Sequence, residues 1–298
     1  MRAAGETAAR SPGLRLVSWN IRAAIGPGEP FPPAWWRHVR RDRLEGIAAF
    51  VRALDADVAV LQEVPLATAD GAPLDEPRDL EALTGMTVRY AALHHYTLVE
   101  PGGRVVGATL WGNALLTRLP IAAATVHALP VPADDDLVEP PGAPDPPAAN
   151  RTHPLAGVRY VDAGQGPREA RCVLDCTIEA GLGPIRVLST HLAYVGRAQR
   201  LAQAEEIARL VGPSERVVVA GDLNAAVDDP ELAPLAAALT DAFVATGTPP
   251  GDRHRESCGR QAIDHVFVKG LRPVVCRVAR EAGDLSDHWP VVADLGPS

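Results

Sequence analysis

The chain has 298 residues, of which 47% are hydrophobic and 22% are charged, and its formal net charge is −8. This composition is typical of a globular protein with room for one sizeable α/β domain, and it excludes a wholly disordered chain. The negative charge argues against nonspecific, high-affinity binding to nucleic acid, which depends on basic residues that displace counterions.

Metal-binding cysteine motifs and membrane segments are not visible in the sequence. The four cysteines form no C-x-x-C pair and no zinc spacing, so we interpret them as buried free thiols. Residues 1–13 contain no apolar run typical of a signal peptide, and no stretch of about 20 apolar residues follows. We therefore expect a flexible N-terminus at 1–13 and a cytoplasmic monomer without a transmembrane segment.

Short apolar runs bounded by glycine, proline and polar residues predict eleven strands. We interpret His94 and His95, which follow the third strand, as surface residues. In chain order the strands are expected at 14–21, 57–63, 88–93, 112–120 with Asn113 at its start, 121–129, 171–178, 185–191, 216–224, 262–268, 272–278 and the run after Pro290.

Apolar residues at helical spacing predict two helices. The first spans 43–54, with Asp42 as its N-cap, and the second spans 196–211. Between the first two strands and the third, residues 65–77 have the composition of a loop.

Residues 129–155 contain eight prolines and an acidic run at 134–136. Such a segment buries too little apolar surface to offset the entropy lost on ordering. Because strands with similar polar ends lie on both sides of it, we interpret it as a surface loop inserted into a single domain that spans 14–296.

Polar side chains recur where predicted strands end. Asp222 and Asn224 are two residues apart, so they point the same way if the strand geometry continues through them. A carboxylate beside an imidazole, as in Asp287-His288, suits metal-assisted hydrolysis. The polar residues at or near the predicted strand ends are Asn20, Glu63, His191, Asp222, Asn224, Asp264, Asp287 and His288. A hydrophobic core would not tolerate these side chains without hydrogen-bond or ionic partners.

The order of the motifs Ser-Trp-Asn, Leu-Gln-Glu, Ser-Thr-His-Leu, Gly-Asp-Leu-Asn, Ile-Asp-His and Ser-Asp-His-Trp-Pro-Val resembles the endonuclease/exonuclease/phosphatase superfamily, which includes DNase I, neutral sphingomyelinases and inositol polyphosphate 5-phosphatases. The resemblance runs from residue 14 to residue 295. It implies an α/β fold, a four-layer α/β/β/α sandwich in which two mixed, mostly antiparallel sheets are covered by helices.

The resemblance also implies a metal site. Glu63 matches the family's principal Mg²⁺ ligand, and Asn20 and Asp287 match groups at or beside the metal. Hard oxygen ligands without a cysteine or paired-histidine set fit Mg²⁺, or Mn²⁺, better than Zn²⁺.

By the same resemblance, His288 matches the catalytic histidine and Asp264 the carboxylate that orients it and stabilises its protonated form. Asp222 matches the residue that positions or activates the attacking water, with Asn224 beside it. His191 is expected to contact the scissile phosphate or to assist departure of the leaving oxygen.

Two further residues are implied to bind the substrate. Arg168 resembles the family arginine that precedes the strand at 171–178, although Arg171 is a close alternative, and Asn113 resembles an asparagine in the strand after the second motif. The abasic-site endonuclease branch has an acidic residue where this chain has Arg22, and lacks a histidine where His191 stands. Both departures favour the branch of DNase I, the sphingomyelinases and the phosphatases.

These observations predict a Mg²⁺-dependent enzyme that hydrolyses a phosphoester, as a phosphodiesterase or phosphatase, by in-line attack of water. A DNA or RNA nuclease of the same family is the alternative, and the acidic net charge disfavours it. A catalytically inactive binding module is a third reading, against which the complete polar set argues.

Overall fold

The computed structural model of the chain describes residues 13–28, 31–32, 34–131, 159–160, 167–168, 170–194 and 196–298. For residues 95–96, 159–160 and 167–168 it describes the backbone alone. The predicted flexible N-terminus lies outside the described residues except for Gly13. The predicted inserted loop lies outside them from residue 132 onward, and its first residue, Leu129, is buried in the domain core.

The described residues form fifteen strands, five α-helices and five short 3₁₀ helices. The strands are β1 (Leu14–Asn20), β2 (Val58–Ala69), β3 (Ala72–Asp75), β4 (Thr87–Val99), β5 (Val105–Thr117), β6 (Ile121–Ala128), β7 (Arg159–Tyr160), β8 (Pro167–Arg168), β9 (Cys172–Ala180), β10 (Gly183–His191), β11 (Val217–Asp222), β12 (Thr240–Asp241), β13 (Asp264–Lys269), β14 (Leu271–Val278) and β15 (Val291–Pro297). The α-helices are α1 (Arg41–Ala53), α2 (Glu76–Thr84), α3 (Arg197–Val211), α4 (Ala233–Ala238) and α5 (Ala242–Ala245), and the 3₁₀ helices are Arg22–Ala24, Trp35–Arg37, Pro230–Leu232, Arg253–Arg255 and Arg280–Ala282.

Two mixed sheets carry the fold. The first has the order β14-β15-β1-β2-β5-β4, with β3 paired to β2, and the second has the order β12-β13-β11-β10-β9-β6. The pairs β1–β2 and β10–β11 are parallel, and the other pairs in the two sheets are antiparallel. This is the predicted sandwich of two mostly antiparallel sheets.

Three apolar layers hold the sandwich together. The central layer joins the facing sides of the two sheets, for example Leu16 of β1 with Val218 of β11. The outer side of the first sheet packs against α1 and α2, and the outer side of the second packs against α3 and α4. The helices therefore cover both outer faces, which confirms the predicted four-layer order. None of the helices in the described part of the chain is long and apolar enough to cross a membrane.

The first helix begins two residues before the predicted start, and Asp42 is not its N-cap. Arg40 occupies the cap position without a side-chain hydrogen bond, and Asp42 lies in the first turn, where it pairs with Arg40 at 2.5 Å. An acidic side chain is favourable in this turn because it faces the positive end of the helix dipole. The acidic Asp42 therefore correctly indicated where the helix starts, although it does not cap the helix.

The strands of the first sheet are longer than predicted, and the loop expected at 65–77 is wrong. Strand β2 continues through Pro65 to Ala69, and β3 and the start of α2 follow. Strand β1 ends at Asn20, opposite Gln62, so Pro65 lies where β2 has lost this neighbour, a position that tolerates proline. Asn113 lies inside β5 and not at its start.

Glu76, the first residue of α2, is fully buried, and neither carboxylate oxygen has a hydrogen-bond partner among the described residues. Burial raises the pKa of Glu76 well above its usual value, and the charge of Asp79 adds to this effect. The folded protein therefore favours the neutral carboxylic acid at this position.

Replacing Glu76 with Gln should stabilise the protein at neutral and alkaline pH. The folded state keeps a proton that the unfolded chain releases above about pH 4, so the stability of the wild type falls as the pH rises above that value. Chemical denaturation should give nearly equal stabilities at pH 4 and a gain on the order of 1 kcal/mol or more for Glu76→Gln at pH 8. Glu205→Gln, at an exposed position on α3, should show no such gain. Equal stabilities of wild type and Glu76→Gln at pH 8 would contradict the interpretation.

Candidate active site

Period-two alternation brings polar side chains into the space between the sheets. Leu14 and Leu16 of β1 face the central core, as do Val218 and Ala220 of β11. Continuing each inward series at period two reaches a polar residue at one end of the strand, directly after Ala220 on β11 and after an intervening Ser18 on β1 and Ser189 on β10. These inward positions hold Asn20 on β1, His191 on β10, Asp222 on β11 and Asp264 on β13.

Strand register places three of these side chains in one row. His191 is paired with Asp222, and Asp222 with Asp264, across adjacent strands. A Cβ atom at Gly221 would lie 1.8 Å from the carbonyl oxygen of Thr190, so glycine is required for this close approach of β10 and β11. The row therefore depends on the residue that directly precedes Asp222.

Glu63 reaches the site through a β-bulge. Leu61 pairs with Ala114 and Val64 with Gly112, so Gln62 and Glu63 together lie opposite the single residue Asn113. Glu63 has a φ of 57°, in the left-handed region that non-glycine residues seldom adopt. Bulges of this kind redirect a side chain, and here the carboxylate turns towards Asn20. The predicted strand end at Glu63 is thus a bulge inside a longer strand.

Asn20 connects the two sheets. Its amide nitrogen donates to Oε1 of Glu63 at 2.9 Å and to Oδ2 of Asp222 at 3.1 Å. Its amide oxygen accepts from the backbone N–H of Arg22 at 3.0 Å, and its backbone oxygen accepts from Oγ of Ser286 at 2.8 Å. Because the amide oxygen is already engaged, Asn20 in this arrangement orients the carboxylates through its nitrogen.

His288 and Asp264 form a buried pair. Nδ1 of the imidazole lies 2.7 Å from Oδ2 of Asp264, and the indole N–H of Trp19 donates to the backbone oxygen of His288 at 2.9 Å. Burial alone would lower the pKa of His288, but the charge and hydrogen bond of Asp264 prevail and raise it well above its usual value. His288 is therefore held in the protonated form with Nδ1 donating.

His191 has the opposite protonation state. Burial lowers the pKa of His191 well below its usual value, and the positive charges of Arg171, His288 and His94 add to this effect. Nε2 of His191 accepts from the amide of Asn224 at 3.1 Å. His191 is therefore neutral with a defined tautomer. The two imidazoles present a fixed acid and a fixed neutral base in one site.

Asp222 lies between the two histidines. Its Oδ2 is 3.5 Å from Nε2 of His191 and 3.7 Å from Nε2 of His288, and its Oδ1 accepts from the backbone N–H of Asn224 at 3.0 Å. Burial, with the charge of Asp264 adding, raises the pKa of Asp222 to about 7. A carboxylate with this pKa can take or release a proton at neutral pH.

Glu63 and Asp287 occupy the opposite corner of the site. Burial raises the pKa of Glu63, and the nearby charge of Asp287 adds to this effect. Nε of the buried Arg22 lies 3.3 Å from Oδ2 of Asp287. Burial lowers the pKa of Arg171 to about 10, against the raising effect of the charges of Glu63 and Asp222. Two arginines thus partly offset a concentration of buried negative charge.

The corner formed by Glu63 and Asp287 has the chemistry of a divalent-cation site. Burial and the charge of Asp287 raise the pKa of Glu63, and a divalent cation that prefers hard oxygen ligands would offset the repulsion between the two carboxylates. Within the described residues a second group converges as tightly as metal ligands do, namely Asp222, Asp264 and His288, whose nearest donor atoms lie within 4.8 Å of one another. The oxygen donors of Glu63 and Asp287 suit an ion such as Mg²⁺ or Mn²⁺, whereas the second group contains His288, whose Nδ1 is engaged by Asp264.

The predicted substrate-binding residues have different outcomes. The side chain of Arg168, on β8, lies outside the described part of the structure. Its alternative Arg171 is buried beside Glu63 and Asp222. Asn113 is buried opposite Glu63, and its amide lies 3.5 Å from the backbone oxygen of Cys172 on the facing sheet. Their roles as substrate ligands stay predictions.

Two residues at the site were not predicted to have a role. Arg22, noted only as a departure from one branch, contacts Asp287, and its position two residues after Asn20 was the available signal. His94, interpreted as a surface residue, is buried and near enough to His191 to influence its pKa. It lies after a second bulge, between Ala91 and His94 of β4, and a bulge of this kind gives no sequence signal.

Sequence comparison places this site in a known family. The model of the endonuclease/exonuclease/phosphatase family matches residues 17–288, which include every predicted site residue. The chain belongs to the endonuclease/exonuclease/phosphatase family. Members of this family are in general hydrolases that act on phosphoesters with divalent metal ions. No curated protein matches the chain in a sequence search.

Solved structures share the fold. An endonuclease/exonuclease/phosphatase from Beutenbergia cavernae DSM 12333 has a TM-score of 0.65 and 23% identity, over 97% of this chain and 72% of that one. An endonuclease/exonuclease/phosphatase from Bacteroides vulgatus has a TM-score of 0.61 and 18% identity, over 97% and 100%. The human Nocturnin catalytic domain with bound sulfate anion has a TM-score of 0.62 and 17% identity, over 96% and 94%.

Replacing Asp264 with Asn should lower the pKa of His288. The substitution removes the negative charge that raises this pKa, so the effect of burial prevails. A histidine NMR titration of the metal-free protein would measure the change. Asp252→Asn is a matched control, because Asp252 accepts a 2.8 Å contact from Nδ1 of His254 at the surface. An unchanged pKa of His288 in Asp264→Asn would contradict the assignment. A change of the same size in the pKa of His288 in Asp252→Asn would contradict it as well.

Proposed function

We propose that this family member hydrolyses a phosphoester, with a divalent cation, by in-line attack of water on phosphorus. The observation that carries the proposal is the arrangement of Asp222 between a protonated and a neutral histidine, His288 and His191. Phosphoryl transfer needs little covalent participation by the protein, so positioning and electrostatic stabilisation supply most of the rate. The site offers both.

His288 stabilises the negative charge that develops on the phosphate. Its protonated ring has Nδ1 engaged by Asp264, and Nε2, 3.7 Å from Oδ2 of Asp222, donates towards the substrate. A donor fixed before the reaction does not need to reorganise in the transition state. Asp264 acts through His288 by fixing its tautomer and its charge.

Asp222 accepts a proton from the attacking water. Its pKa of about 7 matches a group that takes a proton at neutral pH. Asn224 fixes the carboxylate through its backbone N–H and fixes His191 through its side chain. His191, neutral and 3.5 Å from the same carboxylate oxygen, then contacts the scissile phosphate or assists the leaving oxygen.

Glu63 and Asp287 would hold the cation, with Asn20 orienting Glu63. A cation bound there would neutralise the phosphate and stabilise the leaving oxygen. Mg²⁺ is the expected ion and Mn²⁺ a replacement, because the donors in this corner are oxygen atoms.

We expect a small phosphodiester or phosphomonoester as the substrate in preference to duplex DNA. The net charge of −8 opposes nonspecific attachment to a polyanion. The buried Arg171 and Arg22 supply a local positive field at the site, which suits one phosphate group. Turnover of bis-p-nitrophenyl phosphate, plasmid DNA and a sphingolipid panel by the purified protein would distinguish these substrate classes. Cleavage of plasmid DNA as the fastest of these reactions would favour a nuclease.

Removal of the metal should abolish activity. Excess EDTA should stop turnover of bis-p-nitrophenyl phosphate, and Mg²⁺ or Mn²⁺ should restore it. Glu63→Gln keeps the size of the side chain but removes a charged ligand, so it should weaken Mg²⁺ binding in calorimetry and reduce the rate by about 10²-fold or more. Glu45→Gln, on the exposed surface of α1, is the control. Full turnover in EDTA would refute the metal requirement.

His288 and Asp264 should act as a unit. His288→Ala should lower the rate by about 10²–10⁴-fold, the usual contribution of a positioned acid or base. Asp264 works through His288, so adding Asp264→Ala should cost little more. Circular dichroism of each variant would establish that it is folded. If the two single losses multiply in the double variant, Asp264 serves elsewhere, and His191 becomes the principal catalytic imidazole.

A further inference from the structure

Four aromatic side chains form a continuous group at one side of the site, which we call the aromatic wall. Trp35 and Trp111 meet edge to face with ring centroids 4.8 Å apart, and Trp36 lies 6.1 Å from Trp35. Phe31 lies 5.9 Å from Trp111 at an interplanar angle of 78°. Edge-to-face contacts of this kind stabilise a fixed arrangement of rings.

One guanidinium connects the aromatic wall to the proposed cation corner. The Cζ atom of Arg22 lies over the ring of Phe31, 5.3 Å from its centroid, and Nε of the same side chain lies 3.3 Å from Asp287. Arg22 itself is 3% exposed, so Phe31 takes part in shielding it from water. Only the width of this guanidinium separates the Phe31 ring from the carboxylate.

Strand register connects the aromatic wall to the other end of the site. Trp111 of β5 is paired with His94 of β4, and directly paired residues project to the same face of a sheet. His94 is buried close to His191. Trp111 therefore lies on the face of the first sheet that is turned towards the catalytic residues.

The aromatic wall is anchored at its base and open at its tip. Trp35 is 3% exposed and packs with Ala67 and Leu98 of the first sheet, whereas Phe31 is 39% exposed. Phe31 is the exposed ring of the aromatic wall; other exposed large apolar side chains among the described residues include Leu93 on β4, Val105 on β5 and Tyr194 after β10. An acyl chain needs an extended apolar surface, whereas a single planar ring is matched by one exposed aromatic side chain.

We propose that the aromatic wall contacts a planar ring in the organic part of the substrate, with Phe31 as the specificity-determining residue. The substrate class is then a phosphoester that carries an aromatic or heteroaromatic ring, placed so that its phosphate faces His288 and its ring lies against Phe31. This inference rests on the proposed function, because the aromatic wall has this role only beside a phosphate-binding site.

Binding of two matched phosphonates tests the inference without turnover. Phenylphosphonate and methylphosphonate share the anionic group and differ in the ring. Calorimetry in Mg²⁺ should show tighter binding of phenylphosphonate to the wild type, and Phe31→Ala should weaken that binding about tenfold, the scale of one lost stacking contact. Its affinity for methylphosphonate should change less than about twofold.

Hydrolysis of two diesters with the same leaving group gives a second readout. Phenyl p-nitrophenyl phosphate and methyl p-nitrophenyl phosphate both release p-nitrophenolate. The kcat/KM of the phenyl diester divided by that of the methyl diester, compared between variants, therefore reports the ring contact. Phe31→Ala should lower the ratio through KM, and Phe31→Tyr should restore it. Val274→Ala, which truncates a side chain that is 50% exposed on β14, should leave the ratio unchanged.

Equal losses for both phosphonates in Phe31→Ala would overturn the inference, because the ring would then act only by holding Arg22. An unchanged preference for phenylphosphonate would overturn it as well. Failure of the proposed function has a different signature, namely no hydrolysis of either diester by the wild type. The binding comparison still decides the role of Phe31 in that case.

Discussion

The side-chain amide of Asn20 connects the carboxylates of the two sheets. Asn20 donates to a carboxylate on each sheet, Glu63 on the first and Asp222 on the second, and its two oxygens hold Arg22 and Ser286. Ser286 is two residues before His288 and donates to the backbone oxygen of Asn20, so the same residue also fixes the loop that carries His288. Glu63, Asp222 and the loop of His288 are therefore positioned relative to one residue at the end of β1. Because this amide is 1% exposed, water competes little for its hydrogen bonds.

Charge in the site is arranged by local surroundings and not by the composition of the chain. The protein as a whole is acidic, yet Arg171 and Arg22 lie buried against its most concentrated carboxylates. The pKa values of two histidines in the same site shift in opposite directions, because burial and cationic neighbours together lower that of His191, whereas Asp264 outweighs burial and raises that of His288.

Alternation of apolar and polar residues made most of the fold and much of the site predictable from the sequence. In the series that ends in Asp222, the apolar residues Val218 and Ala220 show which side of the strand faces the core, and Asp222 lies on that side. Bulges were not predictable, since an extra residue in one strand depends on its partner strand, and Glu63 and His94 both follow such irregularities. Helix α2 was missed for a related reason: its start lies among residues whose proline content suggested a loop. The role of Arg22 depends on a contact with Asp287 that joins opposite ends of the chain, which no local pattern encodes.

The bulge in β2 makes the chemistry of this protein separable from its architecture. Val64 lies opposite Gly112, and Leu61 lies opposite Ala114, whether one residue or two stand between Leu61 and Val64. Loss of the single codon for Glu63 would close the ladder into a regular one, relieve the left-handed backbone and leave every other strand pair in register. The sheet itself therefore does not need the extra residue, and the bulge serves to bring the Glu63 carboxylate to Asn20. Under the proposed function, one deletion would separate the fold from the cation site.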